Sequence, residues 1–161
     1  MAAARRLVVL RHAKSAWPED TPDPRRPLAD RGRRDAPAAG RWLRKHLDRI
    51  DLVVCSPAVR ARQTWELVAG RLPTAPALRE DERVYQASAE TLLVLTRELP
   101  DDAHTVVLVG HNPGLEDAVA LLTGAREQFR TSTIAVLEGQ GSWSDAGPRW
   151  ARLRHVTTPR G

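Results

Sequence analysis

The chain has one cysteine, one methionine, one tyrosine and one phenylalanine in 161 residues. A single thiol cannot form an internal disulfide, which excludes a disulfide scaffold and a multi-cysteine metal site. Cys55 itself lies inside the apolar run Leu52-Val53-Val54-Cys55, the setting of a buried core thiol. No apolar run approaches the ~20 residues that a membrane span needs. The run after Met1-Ala2-Ala3-Ala4-Arg5-Arg6 is short and ends at charge, unlike the apolar region of a signal peptide. A soluble, cytoplasmic protein without membrane association is therefore expected. Aromatic residues make up only 4%, and the basic residues are neither clustered nor interleaved with aromatics, which argues against a nucleic-acid module.

What the sequence does contain is ordinary for a globular domain: 42% hydrophobic and 28% charged residues. The length suits one sizeable core, so a single domain over 1–161 is expected. The net charge of +5 is carried mainly by arginine and leaves room for acidic or phosphorylated partners.

Leu7-Val8-Val9-Leu10 is an apolar run that stops at Arg11-His12, a pattern of a strand buried on both faces or of a short buried helix. The proline-rich stretch Ala16 to Pro24 predicts a surface loop. A helical pattern follows from about Arg33 to Leu47, and Pro37 places its true start near Asp35 or Ala36, because proline fits only a first turn. Ile50 to Cys55 reads as the second strand. Ser56-Pro57 then predicts a helix, with Ser56 as N-cap and Pro57 at the first position, running to Gly70. The segment from Leu78 to Tyr85 is expected to be an irregular edge with a short strand. A helix over about 89–99, a strand over 105–110, a helix through Leu121 and two strands over 132–137 and 150–156 complete the chain. This alternation predicts a three-layer α/β/α fold with a largely parallel central sheet.

In such a sheet Arg11, His12, Arg60 and His111 fall at or just past the carboxyl ends of strands, where ligands bind. Arginine's planar fork matches two phosphate oxygens, and it stays charged at any working pH. A neutral imidazole is a competent nucleophile near pH 7, and a second imidazole can donate to a phosphoryl oxygen as charge redistributes. These residue types suit phosphoryl transfer. No third ligand is spaced to complete a metal site, so no metal and no cofactor are expected. Lys14, Ser15 and Asn112 lie beside these residues, with Ser15 and Asn112 as further substrate-binding candidates. Trp17, in the loop next to the site, could contact substrate. His46, His104 and His155 are expected at the surface, and Trp42 and Trp65 in the core.

Arg11-His12-Ala13 resembles the Arg-His-Gly signature of the histidine phosphatase (phosphoglycerate mutase-like) superfamily. Ser56-Pro57-Ala58-Val59-Arg60-Ala61-Arg62-Gln63-Thr64 resembles its second motif and Gly110-His111-Asn112-Pro113 its third. The similarity covers residues 5 to 125 and is greatest with the small branch typified by SixA-like phosphohistidine phosphatases, which share Arg26-Pro27-Leu28 and Arg31-Gly32. The resemblance implies a phosphoglycerate mutase-like fold. In it His12 becomes phosphohistidine, Arg11 and Arg60 clamp phosphate, and His111 completes the pocket. For a general acid it points to the segment after the second motif, where Glu82 is the first choice, ahead of Glu80 and Asp81.

About fifty residues separate successive motifs. That leaves little chain for the large cap of bigger relatives and predicts an open site. The expected activity is metal-independent removal of phosphate from phosphohistidine on a protein. A broad small-molecule phosphomonoesterase and a non-catalytic phosphate-binding module are the alternatives.

Overall fold

A computed structural model describes residues 4–161. Six strands form one sheet: β1 (Arg5–Arg11), β2 (Leu52–Cys55), β3 (Ala77–Glu80), β4 (Thr105–Gly110), β5 (Ile134–Gly139) and β6 (Ala151–Thr157). Their order is β3-β2-β4-β1-β5-β6. β3, β2, β4 and β1 pair in parallel, and β5 pairs antiparallel with both β1 and β6. The sheet is thus largely parallel, as the alternating pattern implies.

β1 shows why its apolar run is continuous rather than alternating. Leu7 and Val9 point into one core, with Leu92 and Leu95 of helix α3 (Ala89–Arg97) and Leu115, Val119 and Leu122 of α4 (Gly114–Thr123). Val8 and Leu10 point into the other, with Leu43 of α1 (Asp30–His46) and Trp65 and Val68 of α2 (Val59–Ala69). Both faces are covered, so every position of the strand must be apolar. Trp143 and Trp150 close the α3–α4 side, with Trp143 Nε1 donating to the Ala103 carbonyl at 2.6 Å.

Two helix starts differ from the sequence expectation. α1 begins at Asp30 rather than near Asp35, so Pro37 lies inside it. An interior proline removes one helix hydrogen bond and costs ~3 kcal/mol. Tertiary burial offsets this: Ala36, Ala39 and Leu43 are fully buried on the same helix. The glycines of α1 show how tightly it packs. A Cβ on Gly32 would lie 2.1 Å from the Lys14 carbonyl oxygen, and one on Gly40 would lie 2.6 Å from that of Val68. α1 therefore presses against both the loop after β1 and helix α2. The second difference is α2, which starts at Val59 after an N-cap at Ala58, two residues later than Ser56-Pro57 suggested. Ser56 still accepts a hydrogen bond from the Ala58 N–H, at 3.2 Å. The edge segment resolves into β3, exposed along its length, and a 3-10 turn over Glu82–Val84.

Strand register then fixes the site. Arg11 pairs with Gly110, and Cys55 with Val109. The residues that leave β1, β2 and β4 therefore emerge side by side. His12 N–H donates to the Gly110 carbonyl and Ser56 N–H to that of Val109, extending the ladder one step beyond the strands.

Candidate active site

His12 leaves β1 buried, at 6% exposure. Its Nδ1 lies 2.7 Å from the Ala13 carbonyl oxygen. A carbonyl only accepts, so Nδ1 carries the hydrogen and Nε2 keeps its lone pair. Burial, together with the neighbouring His111, Arg60 and Arg11, pushes the ring down to about 3 against the backbone hydrogen bond. The imidazole is neutral at any ordinary pH, with its lone pair on Nε2.

The loop carrying this ring is fastened to α2. Ala13 N–H donates to Thr64 Oγ1 at 2.9 Å, and Thr64 Oγ1 donates to the Arg60 carbonyl at 2.7 Å. Thr64 is fully buried. Thr64→Val keeps the shape but leaves the Ala13 N–H without an acceptor, a loss of about 1–3 kcal/mol. Thermal denaturation is expected to show this as a fall in Tm of several degrees; an unchanged Tm would mean that water or another group replaces the threonine.

His111 follows β4, with its ring centroid 5.2 Å from that of His12. Its Nε2 lies 2.7 Å from Ser56 Oγ. Ser56 Oγ accepts from Ala58 N–H, and Nε2 is the acceptor within reach of its own proton, so we assign the N–H of His111 to Nδ1. That atom is buried with no protein partner, as are Nε of Arg11 and Nε of Arg60. Burial and then Arg60 push His111 down to about 4, opposed by Asp23. The four residues expected from sequence are thus brought together. They hold one lone pair, on His12, among three buried nitrogens with unused hydrogens, a donor set matched to a tetrahedral oxyanion.

Each guanidinium is also held by protein. Arg11 donates to the Phe129 carbonyl at 2.9 Å. Arg60 donates to the Asp23 backbone carbonyl at 2.7 Å and to its Oδ2 at 3.0 Å. Asp23 also accepts from the Tyr85 hydroxyl and, at 3.1 Å, from Arg26 Nε. With the Tyr85 hydrogen bond first and Arg60 and Arg26 behind it, the carboxyl is held down to about 2 and is ionised. The Tyr85 ring meets His111 edge-on, centroids 5.6 Å apart.

The remaining candidates are placed differently. Ser15 is buried, and its Oγ accepts from Arg26 at 3.1 Å. Asn112 donates to Glu116 at 2.6 Å and to the Phe129 carbonyl at 2.9 Å, and accepts from the Glu116 N–H, so it organises the start of α4. Glu82 is exposed on the 3-10 turn and makes no side-chain hydrogen bond or ion pair among the described residues. Glu80 pairs with Arg62, and Asp81 with Arg83. Trp17 is 75% exposed, its ring under the Arg26 guanidinium at 3.4 Å. Sequence reasoning missed Asp23, Thr64 and Tyr85, and saw Ser56 only as a helix cap. Tyr85 is the chain's one tyrosine and lies just after Glu80, Asp81 and Glu82. Among the described residues, no group of three metal-ligating side chains is present, and no helix is long and apolar enough to cross a membrane.

The family model of the histidine phosphatase superfamily (branch 1) matches residues 7–90. An uncharacterised protein of Mycobacterium tuberculosis is 41% identical over 94% of this chain and 100% of its own. Among solved structures, a candidate phosphohistidine phosphatase SixA from Nakamurella multipartitia aligns with a TM-score of 0.86 and 34% identity over 98% of both chains. The protein histidine phosphatase SixA complexed with tungstate aligns at 0.78 and 25%, covering 96% of this chain and 97% of that one.

Proposed function

Because the chain belongs to the histidine phosphatase superfamily and is a phosphatase, we propose that it works through a phosphohistidine formed on His12 and that its substrate is phosphohistidine on another protein. The observation that carries the mechanism is the His12 ring, neutral, with Nδ1 committed to the Ala13 carbonyl and Nε2 free beside Arg11, Arg60 and His111. In the first step the Nε2 lone pair forms a bond to phosphorus while the bond to the leaving group breaks. A substrate imidazole protonated on its other nitrogen takes the bonding pair and departs as a neutral ring. Water then attacks the phosphorus, the P–N bond breaks, and the pair returns to Nε2. The water proton goes to phosphate or solvent. Arg11 and Arg60 neutralise the phosphoryl oxygens, and His111 donates from Nδ1 as their charge shifts.

The substrate class rests on two supports. The solved structures aligned above include SixA proteins described as phosphohistidine phosphatases, one of them holding the oxyanion tungstate. In addition, among the described residues the carboxylates around the site are not poised to protonate a poor leaving group: Asp23 is ionised, Glu116 is engaged by Asn112, and Glu82 is exposed. A phosphoramidate, whose leaving imidazole can carry its own proton, has least need of one. Between β2 and β4 the chain forms only α2, β3, the 3-10 turn and α3. We read this as a single domain over 1–161 with no cap, open enough for a phosphorylated side chain on a folded protein.

The test compares a phosphohistidine-bearing carrier protein with p-nitrophenyl phosphate in excess EDTA. Discharge of the carrier at the higher kcat/KM supports the reading. Preference for the ester would make the protein a general phosphomonoesterase.

A further inference from the structure

Beside the site lies a surface hollow of about 670 Å³ that shares Arg11 with it. Arg11 lines it, together with Lys14, Arg31, Arg34, Arg130 and Arg160. The one carboxylate side chain in the wall, Asp35, is buried and already engaged: Arg160 donates to it at 2.8 Å, Gly161 N–H at 3.0 Å, and Arg31 lies at 3.4 Å. That leaves Lys14, Arg34 and Arg130 exposed and without an acidic partner among the described residues. Packing does not require these charges. Their mutual repulsion works against the fold, so their clustering beside Arg11 calls for an anionic occupant.

We propose that this cationic apron is a docking surface for an acidic protein segment flanking the phosphorylated side chain. The proposal rests on the reading of the site as one for protein-borne phosphate. Arg11 belongs to both the phosphate site and the apron, so a phosphorylated side chain reaching His12 lays its neighbouring backbone across these arginines. The cations are spread over the loop after β1, over α1 and over the loop before β5 rather than focused on one point. Such spacing suits several carboxylates distributed over a surface better than one small polyanion.

The experiment uses the full chain, wild type and the double variant Arg34→Glu/Arg130→Glu. Its probes are p-nitrophenyl phosphate and two phosphohistidine peptides, one flanked by glutamates and one by glutamines. Wild type is expected to favour the glutamate peptide about tenfold in kcat/KM at low salt, through KM. That preference should vanish in the double variant and in about 0.5 M NaCl, where screening is strong. Hydrolysis of the small ester should be unchanged, showing that the site itself is intact. Equal use of the two peptides by wild type overturns the docking surface alone. Equal loss on all three probes in the variant also overturns it, by making the arginines structural. Ester hydrolysis with no turnover of either peptide overturns the protein-phosphohistidine reading and this one with it.

Discussion

His12→Asn is expected to remove turnover of every phosphorylated substrate, by at least about 10³-fold, while the fold and the anion site remain. The asparagine amide can still donate to the Ala13 carbonyl, which is where His12 Nδ1 now points. Arg11, Arg60 and His111 are held by Phe129, Asp23 and Ser56 rather than by the imidazole, so their positions do not depend on it. What the substitution removes is the lone pair on Nε2, the one group that the proposed covalent step cannot replace. Two measurements separate this from a general loss of structure. Brief incubation with labelled substrate should trap an acid-labile, alkali-stable phosphoenzyme in wild type and none in the variant. Tungstate should raise the Tm of both proteins, because it needs only the donors. Turnover above a tenth of wild type in the variant would show that the reaction does not pass through His12, and the chain would then have to use a direct attack by water.

Arg11, His12, Arg60 and His111 were legible in the sequence because each lies at or just past the end of a strand whose apolar run ends abruptly. In a parallel sheet those endings lie at one edge. The layers were legible for the same reason, since continuous apolar runs such as Leu7 to Leu10 require cover on both faces. The start of α1 was not. Local rules place Pro37 in a first turn, yet packing of Gly32 on the Lys14 backbone and burial of Ala36, Ala39 and Leu43 extend the helix back to Asp30. The partners of the site were hidden by chain separation. Asp23 reaches Arg60 across 37 positions and Tyr85 across 62, and Ser56 meets His111 across 55. No periodicity encodes such pairs. Asp23 in a proline-rich loop looks like ordinary turn chemistry until the fold brings the arginine to it. For Glu82 the sequence could place a carboxylate on the right segment, but only the 3-10 turn decides which way successive side chains face. That turn exposes Glu82 and brings Tyr85 to the pocket.

Mild acid is expected to destabilise the folded protein steeply, and the two site histidines are the reason. His12 and His111 are held neutral in the folded chain down to about 3 and about 4, against an ordinary value of 6.5. Above pH ~6.5 both rings are neutral in folded and unfolded chains alike, so they add nothing to the pH dependence. As pH falls below that point the unfolded chain takes up two protons that the folded chain refuses, and the balance moves toward unfolding until the folded values are reached. At pH 5 each ring costs about 2 kcal/mol, or about 4 kcal/mol for the pair. For a chain of this size that corresponds to a Tm lower by about 8–16 °C at pH 5 than at pH 7.5. Asp23, the carboxylate bound to Arg60, is held near 2 and stays ionised throughout this range. The sign is therefore the opposite of a histidine stabilised by a carboxylate partner, whose contribution would grow on acidification. His12→Asn should flatten the slope of Tm against pH by about half of this pair's share, and His12→Asn/His111→Asn should remove that share. These slopes are readable even if either variant has a lower absolute Tm. A slope unaltered by both substitutions would place the acid sensitivity elsewhere and would mean that the buried rings accept protons in the folded state. The neutral nucleophile inferred for His12 would then lose its physical basis.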